Sequence, residues 1–369
     1  MSSERIISSD DHVNPPPTIY AEQLPSEFAE QAPQVERRGD TDVLLFEGQE
    51  QRFFSLSSCA GTDAEDIETL ARTKEEGRKG GWDPKARLED MDFDGVDAQV
   101  LFGSGDGGGI ELRTEHRPLR FAMMQVYNDW LAEFCRACPE RLVGVAEIPV
   151  WDVALALAEA RRAAELGLRG VLVPAIPAFA DSPPGDKAYG DPSYEPLWAA
   201  LAEMKLPVHF HLGTKPLTRG LNADLMATIS VNKAMMGEPI ASFIFSGALQ
   251  RHPDLKIVSV ESGIGWMAFL VPWMDATFLK HRHHTSSPLS EKPSFYFHRQ
   301  VFGTFIDDEV GVRNRDVIGV DNIMWSSDYP HVNSSWPRSQ QAIERHFAGV
   351  PEGEKRKMLC DNVAGLYEL

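Results

Sequence analysis

Positive charge is in short supply: 36 Lys and Arg stand against 55 Asp and Glu in 369 residues, a formal net charge of −19. A chain of that sign repels phosphate backbones and anionic lipid. This argues against nucleic acid or a membrane surface as partners and is compatible with binding a cation. Cysteine is scarce as well, with only Cys59, Cys135, Cys138 and Cys360. Four are too few for a disulfide scaffold in a chain this long. The single CxxC, Cys135–Cys138, lies in a helical stretch without a second pair and reads as two reduced helical thiols, not a zinc or redox motif. No apolar run reaches the ~18 residues of a membrane span. The N-terminus, MSSERIISSDDHV, has no basic stretch leading into an apolar one, so no secretory signal is visible and a cytoplasmic location is expected.

What the sequence does contain is alternation. Eight short, β-branched apolar runs each end in polar or turn residues: IIS near Ile6, Ala98–Phe102, Leu142–Ile148, Gly170–Pro174, Pro207–His211, Lys256–Glu261, Val301–Ile306 and Asn322–Asp328. Helical periodicity fills most of the gaps, over Leu119–Cys138, Val153–Gly167, Tyr194–Lys205, Ile240–Leu249, Gly265–Lys280 and the last segment, EKRKMLCDNVAGLYEL. Eight strands alternating with helices predict an α/β fold, a (β/α)8 TIM barrel in one domain over residues 1–369. A long stretch after strand one, residues 15–90, is expected to be an insertion that covers the barrel mouth or meets a partner subunit. A second long connection, Gly213–Pro239, is a candidate lid.

Side chains that do chemistry in such barrels stand at the C-terminal ends of strands, and metal-type residues of this chain fall there. Asp10 and His12 end strand one as D-x-H, a spacing that points both to one side of an extended chain. His209 and His211 end strand five as H-x-H, Glu261 ends strand six, and Asp328 ends strand eight ahead of Tyr329-Pro330-His331. Imidazole and carboxylate together suit a divalent Zn, Mn or Fe ion, one or two per chain. His209 and His331 are read as catalytic candidates near that ion. His281, His283 and His284 beside Arg282 read as a solvated helix end. Gly103–Gly108 fits G-x-G-x-x-G but does not run straight into a helix, so it reads as a loop passing close to substrate, not as a dinucleotide site. Trp266, Trp325 and Trp336 near loop ends hint at an aromatic or apolar small-molecule substrate.

The stretches SSDDHVNPP, MDFDGVDAQVLF, YNDWLAEFCRACPERLVGVAEIP, LPVHFHLG, RHPDLKIVSVESGIGW, IMWSSDYPH and DNVAGLY resemble the amidohydrolase superfamily. The likeness is to its amidohydrolase-related branch, of the aminocarboxymuconate-semialdehyde decarboxylase type, and it covers most of the chain outside the insertion. That resemblance implies a metal held by Asp10 and His12 of strand one, His211 of strand five and Asp328 of the S-D-x-P stretch. It also implies a homodimer. Glu261 stands where the decarboxylases carry a histidine on strand six. It adds a carboxylate that either bridges two metals or serves as a base beside one, and it weighs against decarboxylation. The reading that follows is a metal-dependent hydrolase, with Asp328 moving the proton of a metal-activated water. The alternatives are a non-oxidative decarboxylase on the same site and a non-haem diiron oxygenase with Glu261 as bridge.

Overall fold

The computed structural model describes residues 5–52, 56–63, 73–103, 110, 114–175, 177, 188–212 and 225–369. The eight expected runs form eight parallel barrel strands. They are Ile7–Val13, Ala98–Gly103, Leu142–Gly144 continued by Ala146–Glu147, Val171–Val173, Val208–His211, Ile257–Val260, Val301–Phe305 and Ile323–Trp325. Strand three switches neighbours in mid-course: Val145 N donates to Leu101 O of strand two, and Ala146 N to Gly170 O ahead of strand four. The ring closes between strands eight and one, where Asp328 N donates to Asp10 O at 2.9 Å and His12 N to Tyr329 O at 2.6 Å.

Apolar residues face both ways along the strands, as a sheet covered on both sides requires. Inward, Ile7, Val100, Val143, Val258, Val260 and Met324 fill the barrel, with Val363 and Tyr367 of the last helix packed at its floor. Outward, strand residues such as Val171, Phe210, Ile257 and Trp325 pack on the helices through Trp198, Phe243 and Met267. Trp325 is therefore core packing between barrel and helices, and the hint of substrate contact does not apply to it. Trp336 is likewise packed, against Tyr329 and under the Arg78 guanidinium.

Two elements depart from the sequence reading. The stretch after strand one contains a three-stranded antiparallel sheet, Gln34–Arg38, Thr41–Phe46 and Gln49–Arg52, turned at Gly39 and Gly48, both with positive φ. Its middle strand alternates half-buried and buried residues. The same stretch lies against the loops after strands one and eight: Asn14 N donates to Gly81 O, and Ala60 N to Pro330 O. The expected helix over Ile240–Leu249 is two helices, Gly237–Phe245 and Ala248–Arg251, because Gly247 takes φ 77° between them. The glycine loop beyond Gly103 and the first part of the candidate lid, 213–224, lie outside the described residues, and the rest of the lid carries the helix Leu225–Met235 and the start of Gly237–Phe245.

Candidate metal centre

Strand one carries one extra residue between Ser8 and Asp11 relative to strand two, a bulge that takes in Asp10 itself. Asp10 and His12 are both buried. His211 meets them from strand five, its Nε2 3.2 Å from Asp10 Oδ1. His12 Nε2 lies 3.5 Å from Asp10 Oδ1 and 3.2 Å from Asp328 Oδ1. The structure thus brings together Asp10, His12, His211 and Asp328 from strands one, five and eight.

Glu261 and His331 complete the cluster from the loops. Glu261 Oε2 is 3.7 Å from His211 Nδ1, and His331 Nδ1 is 2.9 Å from Asp328 Oδ1. The His331 ring stacks on His12 with centroids 3.8 Å apart and planes 17° from parallel. Glu261 and Asp328 both adopt left-handed backbone, φ 57° and 58°, which for residues with a side chain is uncommon and costs energy. That turn carries each carboxylate off the strand direction and into the mouth. Asp308 holds the turn after strand six in place: its carboxylate accepts from Ile264 N, Gly265 N and Gly311 N at 2.6–2.7 Å.

His209 does not join them. Its period-two partnership with His211 puts it inside the barrel but one layer deeper. There Nδ1 bonds Val171 O at 3.1 Å and Nε2 bonds the Tyr367 hydroxyl at 2.7 Å. With both ring nitrogens engaged and no exposure, it ties the last helix to the barrel floor, and the catalytic expectation for it is corrected accordingly. Burial pushes its pKa down to about 4, so it is neutral, with Nδ1 the donor and Nε2 the acceptor of the tyrosine proton.

Three residues that frame the site have no obvious sequence signal. Arg87, on the helix Pro84–Asp94, is fully buried. It donates to Gly80 O at 2.7 Å, to Gln99 Oε1 at 3.1 Å and to His12 O, and its guanidinium lies 4.5 Å from the Tyr329 ring centroid. Asp11, beside the D-x-H, accepts from Ser327 Oγ and from Tyr329 N, and so links the backbones of strands one and eight. Glu147, the buried last residue of strand three, places Oε1 3.2 Å from where a Cβ on Gly103 would sit. Tyr127 would lie closer still, at 3.1 Å, and the two together account for the glycine, whose carbonyl lies 3.4 Å from His12 Nδ1.

Among the protein's own charges the cluster is sharply polarised. Burial holds His12 down at about 4. Burial also opposes charge on His211, but Asp10 outweighs it and raises His211 to about 9. The carboxylate of Asp328 does the same for His331, also to about 9. Burial, then repulsion from Asp328, lifts Glu261 to about 7, while Asp328 is held well below the carboxylate range, His331 and His12 overcoming its burial. Asp10 Oδ2, His12 Nε2 and both oxygens of Asp328 are nonetheless buried without an aligned hydrogen bond. Orphaned ligand atoms of this kind are costly unless something else satisfies them. Donor atoms of Asp10, His12 and His211 lie within 4.8 Å of one another. Two imidazoles and a carboxylate this close together, with the Asp328 carboxylate 3.2 Å from His12, fit a divalent cation.

Residues 10–369 match the family model described as Amidohydrolase. The chain belongs to the amidohydrolase family. A gamma-resorcylate decarboxylase of Rhodococcus jostii (strain RHA1) is 28% identical over 305 residues, covering 77% of this chain and 87% of that protein. An amidohydrolase from Mycobacterium avium subsp. paratuberculosis K-10 superposes with a TM-score of 0.82 at 22% identity over the full length of both chains. A 5-carboxyvanillate decarboxylase of Novosphingobium aromaticivorans, whose structure holds manganese and 3-methoxy-4-hydroxy-5-nitrobenzoic acid, gives 0.69 at 17% identity, covering 100% of this chain and 98% of that one. The barrel, the amidohydrolase resemblance and an enzymatic role stand. The hydrolytic reading does not, because the relatives point to non-oxidative decarboxylases of aromatic acids. Among the described residues no helix is long and apolar enough to cross a membrane.

Proposed function

We propose that this protein is a metal-dependent, non-oxidative decarboxylase of an aromatic carboxylic acid. The observation that carries the reading is Asp328, fully buried, with both oxygens lacking an aligned hydrogen bond and with imidazoles of His12 and His331 about its Oδ1. The likeness to the resorcylate decarboxylase supports the substrate class.

Asp10, His12, His211 and Asp328 would hold a divalent Mn, Zn or Fe ion. When bound, it supplies the positive charge that fixes a substrate carboxylate or neighbouring phenolate. Glu261, lifted to about 7 by burial and by the ionised Asp328 beside it, carries a proton near neutral pH and delivers it to the ring carbon bearing the carboxylate. The bond from that carbon to the carboxylate then breaks, its electron pair restores the aromatic ring, and CO2 leaves. Glu261 regains its proton from solvent. The His331 ring, stacked on His12 and partly exposed at the mouth, offers a flat surface to a ring.

The test is incubation of the manganese-loaded protein with a panel of hydroxybenzoates, including resorcylate and 5-carboxyvanillate, in D2O. One deuterium on the product ring for each CO2 released is the expected result. Hydrolysis of esters or lactones with no CO2 from any acid would overturn the reading. A second reading is favoured by one feature, the carboxylate of Glu261 at the strand-six position. A carboxylate-rich donor set suits iron and oxygen chemistry. It predicts substrate-dependent O2 uptake by the iron-loaded protein with an added electron donor, and no CO2.

A further inference from the structure

The imidazoles of His12 and His211 rest on a buried aromatic ring. Phe102, an inward residue near the end of strand two, places its ring centroid 5.1 Å from that of His211 and 6.4 Å from that of His12. One layer down, His209 meets the same phenyl ring edge to face, at 5.4 Å and 67°. Below it stands Tyr367 of the last helix, Asn362–Tyr367. Its ring stacks on His209 at 5.9 Å with planes 13° apart, and its hydroxyl bonds Nε2 at 2.7 Å. From this continuous column we propose that Tyr367 is a positioning residue for the metal centre, setting the planes of the His211 and His12 rings through His209 and Phe102.

Filling the barrel does not require a histidine at that depth. Val143, Val258 and Met324 fill the same interior with apolar side chains, and a buried imidazole is costly unless its nitrogens are bonded. Here both are. Val171 O can only accept, so Nδ1 donates to it, at 3.1 Å, and Nε2 takes the tyrosine proton. Two bonds from different corners of the ring fix its rotation, and with it the surface against which Phe102 packs. The backbone gives way to the same ring: a Cβ on Gly170 would come within 2.5 Å of His209 Cε1.

The two ligands depend on this support unequally. His211 has a bond of its own, from Nδ1 to Leu212 O at 2.6 Å. The corresponding contact of His12, from Nδ1 to Gly103 O, is 3.4 Å, which is long for a hydrogen bond. Packing must therefore fix the His12 ring, with His331 stacked on it and Phe102 tilted against it at 48°. The Tyr367 hydroxyl, by contrast, is not what docks the last helix. Asn362 Nδ2 donates to Val320 O and Ile323 O at 2.8 Å, Arg169 donates to Tyr367 O at 3.1 Å, and Val363 packs at the barrel floor. Removing the hydroxyl loosens the column and leaves the helix in place.

This inference rests on the metal centre and not on the decarboxylation. The test is titration of the metal-stripped full chain with Mn2+, read by calorimetry and by electron paramagnetic resonance. It compares wild type, Tyr367→Phe, Phe102→Leu and the double variant. Replacing a residue that orients a metal ligand typically costs about 10- to 100-fold in affinity, so Tyr367→Phe should weaken Mn2+ binding roughly 10-fold and alter the Mn2+ signal. Its metal-free melting temperature should fall by only about 1–4 °C, as loss of one hydrogen bond implies. Phe102→Leu should weaken binding at least as much, and the double variant no more than Phe102→Leu alone, because both act through one column. Binding by Tyr367→Phe within about twofold of wild type, or losses that multiply in the double variant, would overturn the positioning role and leave the metal centre intact. A wild type that takes up no Mn2+ overturns the centre and the role with it.

Discussion

Replacing Arg87 with methionine tests whether the catalytic strand ends are held from behind. Methionine keeps most of the stem that packs in the core but removes the fork that bonds Gly80 O, Gln99 Oε1 and His12 O. It also removes a cation that partly offsets the burial pushing the Asp11 carboxyl well above the usual range. Taking away one partner of a buried charged network costs roughly 3–5 kcal/mol, because the others stay desolvated and unmatched. Unfolding entropy of ~2.1 cal/mol/K per residue over 369 residues is about 0.8 kcal/mol/K, so the melting temperature should fall by roughly 4–6 °C. Loss of the bond to His12 O frees the backbone next to a metal ligand, and a misplacement of ~1 Å there costs on the order of 100-fold in kcat. Scanning calorimetry and steady-state turnover measure both quantities. Arg87→Lys should recover part of the stability, since it restores the charge without the fork. A methionine variant that melts within a degree of wild type and turns over normally would refute the reasoning.

Three further outcomes are expected. The metal-stripped protein should be most stable near pH 6.5. His12 and His209, depressed to about 4 from 6.5, lose their contribution as pH falls through that window, and His211 and His331, raised to about 9, lose theirs as pH climbs from 6.5 through 9. Glu261, raised to about 7, offsets part of the gain between pH 4.5 and 7. A melting temperature flat from pH 6.5 to 9 would contradict these assignments. Asp308→Ala strips the acceptor from three backbone amides and should destabilise by about 2–4 kcal/mol while lowering activity through Glu261; full activity would show that the turn holds itself. Gly170→Ala would place a Cβ 2.5 Å from His209 Cε1, so a loss of about 1–3 kcal/mol is expected by chemical denaturation, with no change in metal stoichiometry.

The barrel was legible because each of its strands is a short apolar run punctuated by polar or turn residues, and burial on both faces leaves such runs little alternative. Asp10, His12, His211 and Asp328 were legible for the same reason: a barrel gathers its strand ends, so sequence position predicts spatial convergence. The depth of His209 was not, because period-two alternation fixes which side a residue faces but not the layer it occupies. Nor were the left-handed turns at Glu261 and Asp328, since nothing about a glutamate or aspartate announces a positive φ. Arg87 reads within PKARLED as an ordinary helix cation, and its burial depends on partners as distant as Tyr329. The small sheet after strand one was missed although TDVLLF alternates and Gly39 and Gly48 mark its turns, because its charged flanks read as loop.

Those illegible features answer one physical difficulty. Burying this many titratable groups in one place is unfavourable unless charges pair, and the protein pairs them twice over: His211 with Asp10, and His331 with Asp328. A divalent cation held by these residues would compete with the protons on those two imidazoles. Metal uptake must therefore expel them, which ties affinity to pH and lets the folded chain carry the cluster before an ion arrives. The strained turns at Glu261 and Asp328 hold their carboxylates among those imidazoles, and Arg87, Asp11 and Asp308 keep the strand ends from relaxing. Arg87 and Asp11 serve the strand ends that carry His12 and Asp328, whereas the strained turn at Glu261, held by Asp308, serves a residue outside those four ligands, which is itself an argument that Glu261 belongs to the working centre.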